Sequence, residues 1–309
     1  TTTTTTNNTT KTNKTNKILS ISGTRDYDGS TTVSSGNISL DGLIGSETLN
    51  KSGSTSISSA NVSTYGTGSI NTASLTLSDG SNGGLFSNYT LSGGTHSVTI
   101  SKKSIGVNGS KVYDGNTSVS SSNLSLTGLI GSETLNLSGS GTINTSAVGD
   151  NKSVTDVNFT LSDNSGTAAN YTLNGTLEIN VTQRPVVVAG SKVYDGNTTF
   201  TSGSVTLSNL SGGQTINTSG SITTNSANVA SYGTSDITVN SLSLADGTGA
   251  ASNYTLSGGT HSASVTQKVL GLTGSKVYNA TTTASSSDLS LTGLVGSETL
   301  TLSGSGTLT

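Results

Sequence analysis

The sequence predicts an all-β protein, a tandem array of β-sandwich or β-grasp-like repeat domains of about 82 residues. Three observations carry this. Apolar residues alternate by twos, as in Asn37-Ile38-Ser39-Leu40 and Asn123-Leu124-Ser125-Leu126, and no helical period of useful length appears. Turn residues punctuate the chain every ~8–12 positions, the all-β spacing. One motif also returns four times. Gly-Ser-Lys-Val-Tyr-Asp-Gly-Asn-Thr stands at 109–117 and 190–198, a looser copy stands at 23–30, and a fourth ends in Tyr278-Asn279-Ala280. Its tyrosines, Tyr27, Tyr113, Tyr194 and Tyr278, lie 86, 81 and 84 residues apart. Identity at so long a period favours tandem domains over one continuous β-solenoid, whose coils recur every ~20–30 residues.

The beat divides the 309 residues into a Thr-rich tail or linker (1–16), three full repeats (17–101, 102–182 and 183–266) and a partial fourth (267–309). The tail holds only Thr, Asn and Lys and reads as a solvated tether or as a strand lent to a neighbour. In the first repeat Ile18-Leu19-Ser20-Ile21 opens as a strand. Tyr27-Asp28-Gly29 turns, because Asp-Gly readily takes the positive-φ positions of tight turns. Asn37–Leu40 is a second strand. Gly42-Leu43-Ile44-Gly45-Ser46-Glu47-Thr48-Leu49 turns into a third, Ser69–Leu77 gives another, and a Gly-rich loop follows. Asn88-Tyr89-Thr90-Leu91 and His96–Ile100 close the repeat. The second repeat copies this order, including the octet Gly128–Leu135 and Asn170-Tyr171-Thr172-Leu173. The third keeps Asn253-Tyr254-Thr255-Leu256, while its octet has drifted to Asn209–Ile216, with Gln214 in the glutamate slot. The fourth carries the octet Gly293–Leu300 and ends before any Asn-Tyr-Thr-Leu. Half a repeat buries too little to stand alone. Either the polypeptide continues or another chain supplies the strands. A basic residue precedes each anchor tyrosine by ten positions (Lys17, Lys103, Arg184, Lys268), and no flexible spacer separates one repeat from the next. Stiff coupling between repeats is therefore expected.

Composition narrows the function classes. Only 9% of residues are charged, against a usual ~25%, and the net charge is −3. Thirteen scattered Lys and Arg make no basic footprint, so no nucleic-acid partner is expected. No apolar run reaches the ~18–20 residues of a membrane span, so no membrane insertion is expected. Without cysteine there is no disulfide, thiolate or cysteine-based metal chemistry.

Candidate sites have plain readings. Tyr27, Tyr113, Tyr194 and Tyr278 are expected to pack each in its own repeat's core with the hydroxyl near the surface, as are Tyr89, Tyr171 and Tyr254. Asp28, Asp114 and Asp195, with Gly29, Gly115 and Gly196, are turn chemistry. Calcium at these aspartates, or at Asp79, Asp163 and Asp246, would need more converging carboxylates than a repeat holds. Glu47, Glu133 and Glu298 recur, but Gln214 in the same slot argues against a catalytic carboxylate. A Lys–Asn isopeptide bond promoted by Glu133 could form only in the second repeat, from Lys111 and Asn170. His96 and His261 read as exposed strand residues, too far apart in sequence for one metal site. Asn-X-Ser/Thr sequons at Asn88, Asn116, Asn170, Asn197 and Asn253 follow from composition and would permit glycosylation. Threonine spacing is too irregular for an ice-binding face. No catalytic residue, cofactor or metal is assigned.

The Lys-Val-Tyr-Asp-Gly-Asn-Thr opening, the Leu-Thr-Gly-Leu-Ile-Gly-Ser-Glu-Thr-Leu middle and the Asn-Tyr-Thr-Leu close resemble the YDG-type repeats of bacterial filamentous-haemagglutinin-like surface adhesins, over about residues 18–309. The resemblance implies an exported, extracellular or surface-attached bacterial protein without enzymatic activity in these repeats. It implies a structural stalk or fibre segment, whose contact with a host or neighbouring cell is made by parts outside this sequence. The alternative is a self-assembling extracellular filament subunit, partnered by other copies of itself through strand addition between chains. Tyr278-Asn279-Ala280 departs from the pattern by losing Asp-Gly, so a different turn is expected there.

Overall fold

The computed structural model describes residues 14–309. It is all-β, with strands joined by short 3-10 turns, and the repeats are tandem β-domains. Two compact units are present. The first holds the described residues through Gly109, with Ser118–Thr142 and Ser153–Ile179; the second holds Ser110–Thr117, Ile143–Lys152 and Asn180–Thr309.

Within the first unit, the first repeat has strands β1 (Lys17–Ile18), β2 (Ser20–Asp26), β3 (Thr32–Ser34), β4 (Ile38–Asp41), β5 (Leu49–Ile57), β6 (Ser63–Gly66), β7 (Ile70–Asn71), β8 (Leu75–Asp79), β9 (Tyr89–Thr90) and β10 (Ser97–Ser101). One sheet runs β4-β2-β10-β6 and the other is built on β5, which pairs with β3, β7 and β8. Alternation supplies the core. Ile21 on β2, Val33 on β3, Leu49 and Ile57 on β5, Leu75 and Leu77 on β8, and Val98 and Ile100 on β10 are buried in one cluster. Each such side chain contributes ~1.5–3 kcal/mol by leaving water.

Two features of this topology are not visible as periodicity. The last strand of the repeat lies parallel to the first, Ser97↔Ser22 through Ser101↔Asp26. The chain must therefore traverse the whole repeat before the sheet closes. And β5 serves two partners, pairing β8 over Leu49–Gly53 and β3 over Ser54–Ser56. It bends at Gly53, φ 77°, where an added Cβ would stand 2.2 Å from the Ser74 carbonyl oxygen. Only glycine fits both conditions.

The second unit repeats the scheme. Val187–Val193 pairs parallel with Ser262–Thr266 and antiparallel with Val205–Ser208. The long strand Ile216–Thr224 pairs with Thr199–Thr201, Ile237–Thr238 and Leu242–Asp246. Val186, Val188, Phe200, Ile222 and Val265 are buried. In the fourth repeat, Gly271–Gly274 pairs with Leu289–Thr292 and Thr283–Ser285 with Ser305–Thr307.

The tail expectation falls mostly on residues outside those described. Its last residues lie along their own repeat: the Lys14 ammonium donates to Asn88 Oδ1, and Asn16 Nδ2 to the Tyr89 carbonyl at 3.3 Å.

Candidate functional site

The anchor turn is built the same way in every repeat. In the first three, the aspartate Oδ1 accepts the backbone N–H two residues on: Asp28 from Ser30 at 2.8 Å, Asp114 from Asn116 at 2.9 Å and Asp195 from Asn197 at 2.9 Å. A buried cation three residues back pairs with each: Arg25 with Asp28, Lys111 with Asp114 at 2.9 Å, Lys192 with Asp195 at 2.7 Å. The Lys192 ammonium and the Asn197 N–H hold Asp195 below the usual carboxylate range. The following glycine sits at φ 75°, 77° and 76° at Gly29, Gly115 and Gly196. The fourth turn, expected to differ, keeps this conformation. Asn279 Oδ1 accepts from Thr281 N at 3.2 Å, and Ala280 takes the left-handed position at φ 59°. Asparagine can make the same short-range bond as aspartate, which lets alanine occupy a conformation costing it ~1–2 kcal/mol.

These turns do not simply close a repeat. Each presents its tyrosine to the next one. The Tyr27 hydroxyl donates to Glu133 Oε1 at 2.5 Å, and Tyr171 donates to the other oxygen of the same carboxylate at 2.5 Å. The two rings meet edge to face, 5.3 Å apart and 77° between planes, a preferred aromatic geometry. The Tyr171 hydroxyl also accepts from Ile130 N at 3.2 Å. This first junction lies wholly in the first unit.

The second junction, wholly in the second unit, has the same plan with an amide at its centre. Tyr254 donates to Gln214 Oε1 at 2.7 Å, and Gln214 Nε2 donates to the Tyr113 hydroxyl at 3.0 Å. The rings stand 5.5 Å apart at 81°, and Ser211 N donates to the Tyr254 hydroxyl at 3.0 Å. Glutamate and glutamine both serve because the slot needs two hydrogen-bonding atoms in a fork rather than a proton acceptor of defined strength. In the third junction Tyr194 donates to Glu298. In the first repeat Tyr89 donates to Glu47.

Two further contacts recur at the first two junctions. Asn170, buried, accepts from Val62 N at 2.8 Å and donates to Asn61 Oδ1 at 3.0 Å. Asn253 accepts from Val148 N at 3.0 Å. The turn glycines press on the octet of the following repeat: an added Cβ would stand 3.1 Å from Ile130 at Gly29, 3.0 Å from Ser211 at Gly115 and 3.0 Å from Val295 at Gly196. At the second junction Arg184 adds a clamp, donating to the Asn209 carbonyl and Oδ1 at 2.6 Å each and to the Tyr113 carbonyl at 3.4 Å.

Electrostatics follow the geometry. Burial, and next the bond to Glu133, push the Tyr171 hydroxyl up to about 12 and raise Tyr27 for the same reasons. A neutral phenol beside a carboxylate resists becoming a second anion.

The site therefore corrects several expectations. Tyr27 and Tyr113 are buried, but in shared cores with the next repeat's tyrosine rather than in their own. Tyr194 is half-buried, and Tyr278 is 89% exposed. Tyr89, Tyr171 and Tyr254 are buried as expected. His96 and His261 are buried rather than exposed. Their Nδ1 atoms accept from Ile21 N at 3.2 Å and Val188 N at 3.3 Å. That makes each ring a neutral Nε2–H tautomer, which His261 donates to the Leu256 carbonyl at 3.1 Å. They take backbone N–H groups beside the strand that opens the repeat, a role no periodicity signals. Asn170 and Asn253 are closed to glycosylation in the folded protein by their burial. Asp79, Asp163 and Asp246 cap short turns, each Oδ1 accepting at 2.7 Å from Phe86, Ala168 or Ala251 N. Among the described residues no cluster of three or more His, Asp or Glu could hold a metal ion. Lys111, Glu133 and Asn170, the isopeptide candidates, each have separate partners in the contacts above.

Sheets and junctions together define a class: an all-β protein of tandem domains joined by a recurring tyrosine contact. The family model for the YDG domain matches residues 95–179 and 176–264, more than half of the sequence. The chain belongs to the YDG domain family. No curated protein matches it.

Proposed function

We propose that this chain is a structural stalk or fibre segment of an exported bacterial surface adhesin, working outside the cell or at its surface. The observation that carries the reading is the repeated junction. A tyrosine of one repeat, a Glu or Gln of the next and a second tyrosine form one hydrogen-bonded set, at Tyr27–Glu133–Tyr171 and again at Tyr113–Gln214–Tyr254. With no spacer between repeats, such contacts would transmit load and hold distance, which is what a stalk requires. The repeats' function is mechanical and not enzymatic, and their partners are the neighbouring repeats. Contact with a host or neighbouring cell belongs to other parts of the protein.

A second reading is a filament subunit joined to other copies by strand addition. The unpaired edge of Gly271–Gly274 favours it, since the equivalent strands Ser20–Asp26 and Val187–Val193 each carry a parallel partner that Gly271–Gly274 lacks among the described residues.

Surface labelling of intact producing cells, followed by electron microscopy of protein released by proteolytic shaving, tests the first reading. Labelled protein outside the cell, released as thin threads, is expected. Protein found only inside the cell would sink it.

A further inference from the structure

The fourth repeat is an incomplete copy of a site filled twice elsewhere in the described structure. In the first and third repeats the Asn-Tyr-Thr-Leu segment docks beside the opening residues. Tyr89–Thr90 pairs parallel with Lys17–Ile18, and Tyr254–Thr255 with Arg184–Pro185. The threonine carbonyl then accepts from the next backbone N–H, Leu19 N to Thr90 at 2.8 Å and Val186 N to Thr255 at 2.9 Å. Seven residues past each tyrosine, His96 or His261 takes the N–H of Ile21 or Val188, and the strand after it pairs parallel along the repeat. Leu19, Ile21, Val186 and Val188 are consequently buried.

By distance from the anchor tyrosine, the fourth repeat's counterparts are Leu270 and Leu272. Leu272 is 54% exposed, against 1% for Ile21 and 0% for Val188. Beside them lies a cavity of about 330 Å³ lined by Tyr194, Leu270, Leu294, Val295 and Glu298, among others. Tyr194 occupies the place of Tyr27 and Tyr113, and Glu298 that of Glu133 and Gln214. The cavity is where the rings of Tyr171 and Tyr254 stand in the completed junctions. Val229, counterpart of the Val62 and Val148 that receive Asn170 and Asn253, also lines it and is 48% exposed.

We infer that this groove is an acceptor for an extended strand of another YDG polypeptide carrying Asn-Tyr-Thr-Leu and the histidine strand after it. The tyrosine ring fills the cavity with its hydroxyl shared between Glu298 and Val295 N. The asparagine takes Val229 N. The threonine carbonyl takes Leu270 N, the histidine takes Leu272 N, and the strand beyond pairs parallel with Gly271–Gly274. Main-chain bonds give such strand addition its affinity and the side-chain pockets its specificity. The inference rests on the strand-addition reading and names the groove and the donor sequence; the Thr1–Asn16 tail, without tyrosine, is not the donor.

The probe is a labelled peptide with the sequence of residues 251–266, titrated into the whole chain and followed by fluorescence anisotropy, with hydrogen exchange read at Leu270 and Leu272. Saturable binding with protection of both amides is expected. A peptide with the Tyr254→Ala change, or a protein carrying the exposed substitution Glu298→Ala, is expected to bind at least tenfold more weakly. Absence of saturable binding, or equal binding of the altered peptide, overturns the assignment. Light scattering of the chain alone separates the two failures: self-association without peptide binding means strand addition at another edge, and neither means that the filament reading fails as well.

Discussion

Tyr27 donates its hydroxyl proton to Glu133, 106 residues further along the chain, at 2.5 Å. The bond crosses from the first repeat to the second and shares its carboxylate with Tyr171. Tyr27→Phe removes one charge-assisted hydrogen bond while keeping the ring contact. A loss of ~1.5–3 kcal/mol in urea unfolding is expected. Tyr113→Phe, which faces the neutral Gln214, is expected to cost less, about 0.5–1.5 kcal/mol.

The turn glycines are held by two constraints at once. Gly115 has φ 77°, and an added Cβ would stand 3.0 Å from Ser211 Oγ. Gly115→Ala is expected to destabilise by at least ~1–2 kcal/mol from the left-handed backbone alone. Ala280 already occupies that conformation with no such neighbour recorded, so Ala280→Gly should leave stability unchanged or raise it by up to ~1 kcal/mol. Thermal unfolding of the two variants reads the contrast.

Asn170 and Asn88 occupy the same motif position in different surroundings. Asn170 is buried and takes Val62 N, whereas Asn88 is half-buried beside Lys14. Asn170→Ala should cost ~1–3 kcal/mol by orphaning a backbone donor. Asn88→Ala should stay within ~0.5 kcal/mol. Urea midpoints of both variants check this.

Alkaline pH attacks the first junction. The Tyr171 hydroxyl is pushed from the ordinary 10.0 up to about 12, so the folded state holds this proton more tightly than the unfolded chain. That stabilisation is intact below the ordinary value and is lost as pH rises through the raised one. Stability measured by urea unfolding should therefore fall across that window, and the fall should shrink in Tyr171→Phe. An unchanged slope in the variant would contradict the assignment.

The repeat period, the strand alternation and the role of Asp-Gly as a turn were legible because they rest on local chemistry at fixed spacing. The partner of Tyr27 was not, because nothing local ties residue 27 to residue 133. The usable signal was the slot shared by Glu47, Glu133, Gln214 and Glu298: two residue types that both offer a hydrogen-bonding fork, recurring in step with the tyrosines. His96 escaped because a histidine that accepts from a backbone N–H leaves no apolar pattern around it. The parallel closure of β2 by β10 joins strands at opposite ends of a repeat and depends on tertiary packing. Ala280 shows the reverse case, in which a lost Gly did not mean a lost turn, since Asn279 supplied the same side-chain bond.

The central claim is that consecutive repeats are coupled through the tyrosine–carboxylate set. A double-mutant cycle on Tyr27→Phe and Glu133→Ala, read by urea unfolding of the whole chain, tests it most directly. A coupling energy of ~1–3 kcal/mol is expected. Additive losses, with coupling indistinguishable from zero, would contradict it.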